Sequence, residues 1–192
     1  MLNTKNNFVL ATASPRRIDL LKTINITPKI IYATDIDETI ILNENPKVYC
    51  ARIAKNKALK AQEKYPNDFI LAADTVVFAS RRLFLKPKDK IEAKKFLNFF
   101  SGRKHNILTY VCLVKSNFIK LKKSITKITF KRLSANEIND YLLSKEWKDK
   151  AGGYAIQGYA EKFVKRINGS YSNVVGLPLL ETCNLLKSKN LI

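Results

Sequence analysis

The chain has 192 residues, 46% hydrophobic and 27% charged, which suits one soluble domain, or two closely joined lobes, with ample length for a core. No run approaches the roughly 20 apolar residues of a membrane span. Met1–Asn7 lead straight into a strand pattern and read as no secretory signal. A formal charge of +19 favours polyanionic partners, either a nucleic acid or a small polyphosphate, but most of the excess is lysine scattered over helix faces and strand edges. Cys50, Cys112 and Cys183 are widely spaced and form no CxxC pair. They read as free thiols of a reducing compartment, which makes the cytoplasm the expected location.

Along the chain, strand and helix signals alternate with little between them. Phe8–Ala13 is a buried-strand run, followed at once by Ser14-Pro15-Arg16-Arg17. Serine suits an N-cap and proline the first helical position, so a helix starts here with Ile18, Leu20, Leu21 and Ile24 on its apolar side. Lys29–Ala33 predicts a second strand, ending in the acidic group Asp35, Asp37 and Glu38. Asn45-Pro46 opens a long helix that runs to about Tyr65-Pro66. Phe69–Ala73 suits a central strand, which Asp74 interrupts and Thr75–Phe78 resumes. Asp89-Lys90-Ile91-Glu92 is a capping-box pattern heading a helix through Phe100, closed by Gly102. Two β-rich stretches follow, Asn106–Val114 and Phe118–Leu133. Ser134–Glu137 is a second capping box, heading a helix through about Ser144. Phe163–Ile167 predicts a strand with a turn at Asn168-Gly169, and a last helix starts at Pro178 and buries Leu179, Leu180, Cys183 and Leu186. The fold class expected is α/β: a mixed, twisted sheet with helices packed on it, in two lobes enclosing a cleft.

Several segments carry chemistry. The Ser14–Arg17 corner gathers free helix N–H groups, the positive end of the helix dipole and two guanidiniums, which suits phosphate. Asp74 stands among Ile70, Leu71, Val76 and Val77, and a carboxylate buried there needs a partner or a metal. Lys86 precedes Pro87, which can aim it inward. Lys57 is flanked by Ala54 and Ala58, small enough to let it reach across a cleft. For both lysines a solvated position is the plain alternative. In Asp149–Gly158 the paired glycines permit close backbone approach, and Gln157 offers the donor and acceptor that read a base edge. His105, the only histidine, reads as a packed or hydrogen-bonded residue at a helix-to-strand turn and is left out of the site.

Taken in order, SPRR, the acids near Asp37, AKNKA, AADT, LKP, the DKAG-YAIQG block, NGSY and VVGLPL resemble the Maf family of nucleoside triphosphate pyrophosphatases. The resemblance runs from about Phe8 to Leu186 and implies a single Maf-like domain over residues 1–192, of the broad fold of the inosine-triphosphate pyrophosphatases. It also implies roles. Asp74 matches the proton acceptor that activates water; Ser14, Arg16, Arg17, Lys57 and Lys86 match the phosphate-binding set. Asp37, with Glu38 assisting, would join Asp74 around a divalent cation, Mg²⁺ or alternatively Mn²⁺. Arg16, Thr75 and Gln157 match positions linked to base specificity, and YAIQG resembles the branch acting on dTTP and UTP. The implied reaction is hydrolysis between the α- and β-phosphates, clearing the nucleotide pool, modified pyrimidine nucleotides included. The resemblance also suggests a homodimer; no membrane and no specific nucleic acid are expected as partners, since the sequence offers neither a long apolar run nor a recognised nucleic-acid-binding motif.

The sequence departs from the family pattern at Ala79–Phe84, where an Asp-Gly turn is usual, at Tyr110, and at Tyr159-Ala160-Glu161. Two alternatives stand beside the enzyme: a basic nucleic-acid-binding protein, and a regulator of cell division or septum formation.

Overall fold

The computed structural model describes residues 6–80 and 82–192. Residues 1–5 and Arg81, which bear on the signal reading and on the departure at Ala79–Phe84, lie outside the described residues. The elements in order are β1 (Asn6–Ala11), α1 (Pro15–Lys22), β2 (Pro28–Tyr32), α2 (Pro46–Lys64), β3 (Phe69–Ala79), β4 (Arg82–Phe84), α3 (Lys90–Phe100), β5 (Lys104–Lys115), β6 (Phe118–Phe130), α4 (Ala135–Ser144), β7 (Val164–Asn168), α5 (Tyr171–Val175) and α6 (Leu179–Lys187). Short 3₁₀ turns at Ala151–Gly153 and Tyr159–Phe163 precede β7. The sheet is seven-stranded and mixed, with hydrogen-bonded order β2-β1-β3-β5-β6-β7 and β4 paired to β3. β1 runs parallel to β2 and β3, whereas β4 and β7 pair antiparallel. This is the mixed α/β architecture expected.

The chain forms two compact units. One comprises the residues up to Asp74 with Thr109–Ser124 and Gly176–Ile192; the other comprises Thr75–Leu108 and Ile125–Val175. In the first, Val9 and Ala11 of β1, Ile70 and Ala72 of β3, and Cys112 and Val114 of β5 form one buried cluster with Ala54, Ala58 and Ala61 of α2. The strand residues alternate, and the alanines recur at helical spacing, so each set shares one face. Small side chains on the helix let its axis lie close to the sheet. Tyr110, the departure noted above, packs half-buried against this cluster.

The second unit has an aromatic core. Phe84, Phe96, Phe100, Phe130, Tyr141, Tyr154 and Phe163 are buried. The Phe84 and Phe100 rings lie 4.8 Å apart, and those of Phe130 and Tyr154 4.9 Å apart, in tilted and edge-on arrangements that suit the ring quadrupoles.

Several local expectations need correction. Asp74 interrupts the apolar run but not the strand: β3 continues from Phe69 to Ala79, with the Asp74 side chain paired to Lys57. Ser14 holds the N-cap backbone geometry but makes no side-chain cap; its N–H instead donates to Thr12 Oγ1 at 3.1 Å. At α3 the Asp89 carboxylate caps Glu92 N–H, but the Glu92 carboxylate accepts from Lys88 N–H, one residue before the box would place it. Only at α4 are both arms of the box, between Ser134 and Glu137, present among the described helices. Leu186 is buried as expected, but Leu180 is 70% exposed, Leu179 and Cys183 are half-buried, and α6 buries Thr182 and Leu185 as well. Phe163 closes a 3₁₀ turn before β7 begins.

Candidate active site

The site grows from the face that α2 presents to the sheet. Even-numbered residues of β3 share a face, so Ile70 and Ala72, packed on α2, are followed by Asp74 on that side. Asp74 is 7% exposed. Lys57, between the packed alanines Ala54 and Ala58, places its Nζ 2.8 Å from Asp74 Oδ1. The same ammonium lies 2.8 Å from Glu38 Oε1, on the loop that follows β2. Two carboxylates from distant parts of the chain thus share one cation. A third bond fixes the strand: Cys50, two helical turns before Lys57 on α2, donates its thiol to the Asp74 carbonyl at 3.2 Å.

Burial pushes the Asp74 carboxyl above the usual carboxylate range; Lys57 and Arg17 oppose the rise, and Glu38 adds to it. A base held in that way is better matched to abstracting a proton near neutral pH than an exposed aspartate is. Cys50 is pushed well above the ordinary thiol range, first by burial and then by Asp74, so it stays a neutral thiol.

Arg17, on the first turn of α1, is half-buried, with Nε donating to the Gly176 carbonyl at 2.8 Å. Burial lowers its pKa while Asp74 raises it, and a guanidinium keeps its charge throughout. Arg16 is half-buried beside it. Pro15, Arg16 and Arg17 open α1 as the sequence predicts.

Asp37 does not join Glu38 and Asp74. Its Oδ1 accepts from Thr39 N–H at 2.8 Å within its own turn, and hydrogen bonding from the Thr39 side chain first, then from that N–H, holds its pKa below the usual value. It lines an open groove of about 420 Å³ with Asp35, Asn56, Lys60 and Glu63. Among the described residues no three His, Cys, Asp or Glu side chains are grouped as a metal site. The two carboxylates that converge on a cation are Glu38 and Asp74.

Thr75, Lys86 and Gln157 belong to the second unit. Thr75 is half-buried on β3, and Lys86 is exposed beside the buried Pro87, so the proline does not turn it into the core. Gln157 is exposed on the segment between the two 3₁₀ turns. That segment is pinned from below: Tyr141 Oη accepts from Ala155 N–H at 3.2 Å, and Glu146 Oε2 accepts from Tyr159 N–H at 3.0 Å. His105 is 1% exposed, with Nε2 2.7 Å from Tyr154 Oη, and burial pushes its pKa down to about 3. It is the packed, hydrogen-bonded histidine that the sequence suggests.

Residues missed in the sequence are Cys50, Tyr49 and Arg52. Tyr49 and Arg52, one turn apart on α2, contact the Glu38 loop, and no local pattern in the sequence signals this.

The family model described as Maf-like protein matches residues 7–189. A relative from Wolbachia sp. subsp. Drosophila simulans, named "dTTP/UTP pyrophosphatase", is 49% identical over 95% of this chain and 93% of its own. One from Ehrlichia chaffeensis, named "Nucleoside triphosphate pyrophosphatase", is 44% identical over 94% of this chain and 95% of its own. Among solved structures, the Staphylococcus aureus Ham1 protein is similar with a TM-score of 0.46 and 14% identity, covering 64% of this chain and 71% of that one. The match across nearly the whole chain, at this level of identity, places the protein in the Maf family.

Proposed function

We propose that this chain is a nucleoside triphosphate pyrophosphatase that hydrolyses the bond between the α- and β-phosphates of dTTP and UTP. The observation that carries the reading is the buried Asp74 carboxylate, which shares the Lys57 ammonium with Glu38 beside the Arg17 guanidinium. The substrates are those named for relatives at up to 49% identity.

In this reading Asp74 accepts a proton from water as the water oxygen attacks the α-phosphorus. The bond from that phosphorus to the bridging oxygen breaks, and pyrophosphate leaves with the bond's electron pair. Lys57 and Arg17 bring fixed positive charge to the phosphate oxygens, and Arg16 and Ser14 extend the same corner at the start of α1. Low solvent access around Asp74 strengthens each of these interactions. Glu38 and Asp74 fit a divalent cation, since both already present a carboxylate oxygen to one positive charge, whereas Asp37 is committed to its own turn. Bound there, Mg²⁺ would supply charge neutralisation for the polyphosphate. The same reading gives Lys86 a phosphate-binding role, and Thr75 and Gln157 a part in choosing the base.

The free thiols of Cys50, Cys112 and Cys183 support a reducing location such as the cytoplasm, where the nucleotides are met free in solution. Among the described residues no helix is long and apolar enough to cross a membrane. A homodimer is the assembly proposed.

The test is pyrophosphate release from a panel of nucleoside triphosphates with Mg²⁺ or Mn²⁺, for the wild type and Asp74→Asn. Release from dTTP and UTP that disappears in the variant supports the reading. Silence of the folded wild type across the panel refutes it.

A further inference from the structure

Between β2 and α2 the chain has no regular structure, yet it delivers Glu38 to Lys57. Burial does not hold this loop. Its tip residues Ile40, Ile41 and Leu42 are 42%, 58% and 89% exposed. Nor can the Glu38–Lys57 pair do so alone, because the Glu38 side chain is 41% exposed and an ion pair in contact with water adds little.

What holds the loop is a set of polar contacts from α2. Tyr49 Oη donates to the Glu38 carbonyl at 2.9 Å. Arg52 Nη2 donates to the neighbouring Thr39 carbonyl at 3.0 Å. The same guanidinium grips Glu44 at two points, Nε to Oε1 at 2.7 Å and Nη2 to Oε2 at 2.6 Å. Glu44 in turn accepts from Ile41 N–H at 3.2 Å, and its side chain is only 4% exposed. The Arg52 guanidinium also lies 5.5 Å from the Tyr49 ring centroid, which ties the two residues together. A planar fork reaching a carboxylate and a carbonyl at once is a geometry that lysine cannot reproduce.

We infer that Tyr49 and Arg52, acting with Glu44, are positioning residues that hold Glu38 at Lys57 beside Asp74. The inference rests on the proposed hydrolysis and deepens it by naming what assembles the second carboxylate. Neither residue touches the reacting atoms; each acts through Glu38.

The experiment measures steady-state pyrophosphate release from dTTP for Tyr49→Phe, Arg52→Lys and Arg52→Met, each alone and combined with Glu38→Gln. Amide hydrogen exchange over residues 38–44 is read on the same proteins. For Arg52→Met kcat falls about tenfold with KM within about twofold, as expected for a group whose effect is confined to the reacting complex. Tyr49→Phe and Arg52→Lys fall less, and they carry the test if Arg52→Met fails to fold. In the Glu38→Gln background none of the substitutions lowers kcat further, because the group they position is already gone. Exchange at Ile41 quickens in the Arg52 variants. Equal fractional losses in both backgrounds, or unchanged exchange at Ile41, overturn the positioning role while leaving the hydrolysis standing. A wild type silent on dTTP and UTP overturns both.

Discussion

His105 makes the stability of the protein depend on pH in a way that can be worked out in advance. Its ring lies 4.2 Å from that of Phe100 and 5.0 Å from that of Phe130, centroid to centroid, and its Nδ1 has no hydrogen-bond partner among the described residues. Burial holds its pKa at about 3 against an ordinary 6.5. The folded state therefore binds the proton more weakly than the unfolded chain does. The associated stability is intact above the unfolded pKa and is lost as pH falls from there towards the folded one. The slope in that window is about 1.4 kcal/mol per pH unit, so going from pH 7 to pH 4 costs about 3 kcal/mol. A domain's whole stability is roughly 5–15 kcal/mol, so the loss is readily measured. The comparison is between wild type and His105→Gln, which keeps a polar atom for the Tyr154 hydroxyl but does not titrate. Urea melts of both at the two pH values isolate the histidine, because carboxylates elsewhere such as Glu137, held low by Lys131 and Ser134, contribute alike to each. The wild-type midpoint should fall by about 1.5 M more than that of the variant, for a slope of about 2 kcal/mol per M. Equal falls would refute the reasoning, because the buried ring would then have to be taking up its proton at no cost.

Asp74→Asn keeps the size of the side chain but removes the base, so kcat should drop by a factor of about 10²–10⁴ in the pyrophosphate assay with the circular dichroism spectrum unchanged. Lys57→Met leaves the buried Asp74 carboxylate without its nearest cation and should cost about 3 kcal/mol in chemical denaturation, together with most of the activity. Gly152→Ala tests the backbone of the second unit. Gly152 sits at φ +73°, and a Cβ there would meet Val77 Cγ2 at 2.9 Å. The left-handed conformation alone costs about 1–2 kcal/mol for alanine, so a thermal melt should show at least that loss.

Much of the framework was legible along the chain because its signals are local. Asn45-Pro46 marks the start of α2 and Ser134–Glu137 that of α4, since caps involve neighbours within one turn. The apolar flanks of Asp74 foretold its burial for the same reason: a strand's surroundings follow from its own residues. Short-range reading also had a characteristic failure. Taking Leu180 as buried weighs a residue's type without its facing.

The composition and order of motifs by themselves determined the α/β class, the family, and which acids and bases are worth suspecting. Which acid meets which base was decided only by the packing of α2 on the sheet. Asp37 and Glu38 are adjacent and chemically alike, yet one closes its own turn on Thr39 and the other reaches Lys57. Periodicity assigns each residue a face within its own element. The distance between a helix residue and a loop residue depends on how the two elements are held together, here by Tyr49, Arg52 and Glu44, and no local pattern encodes that distance.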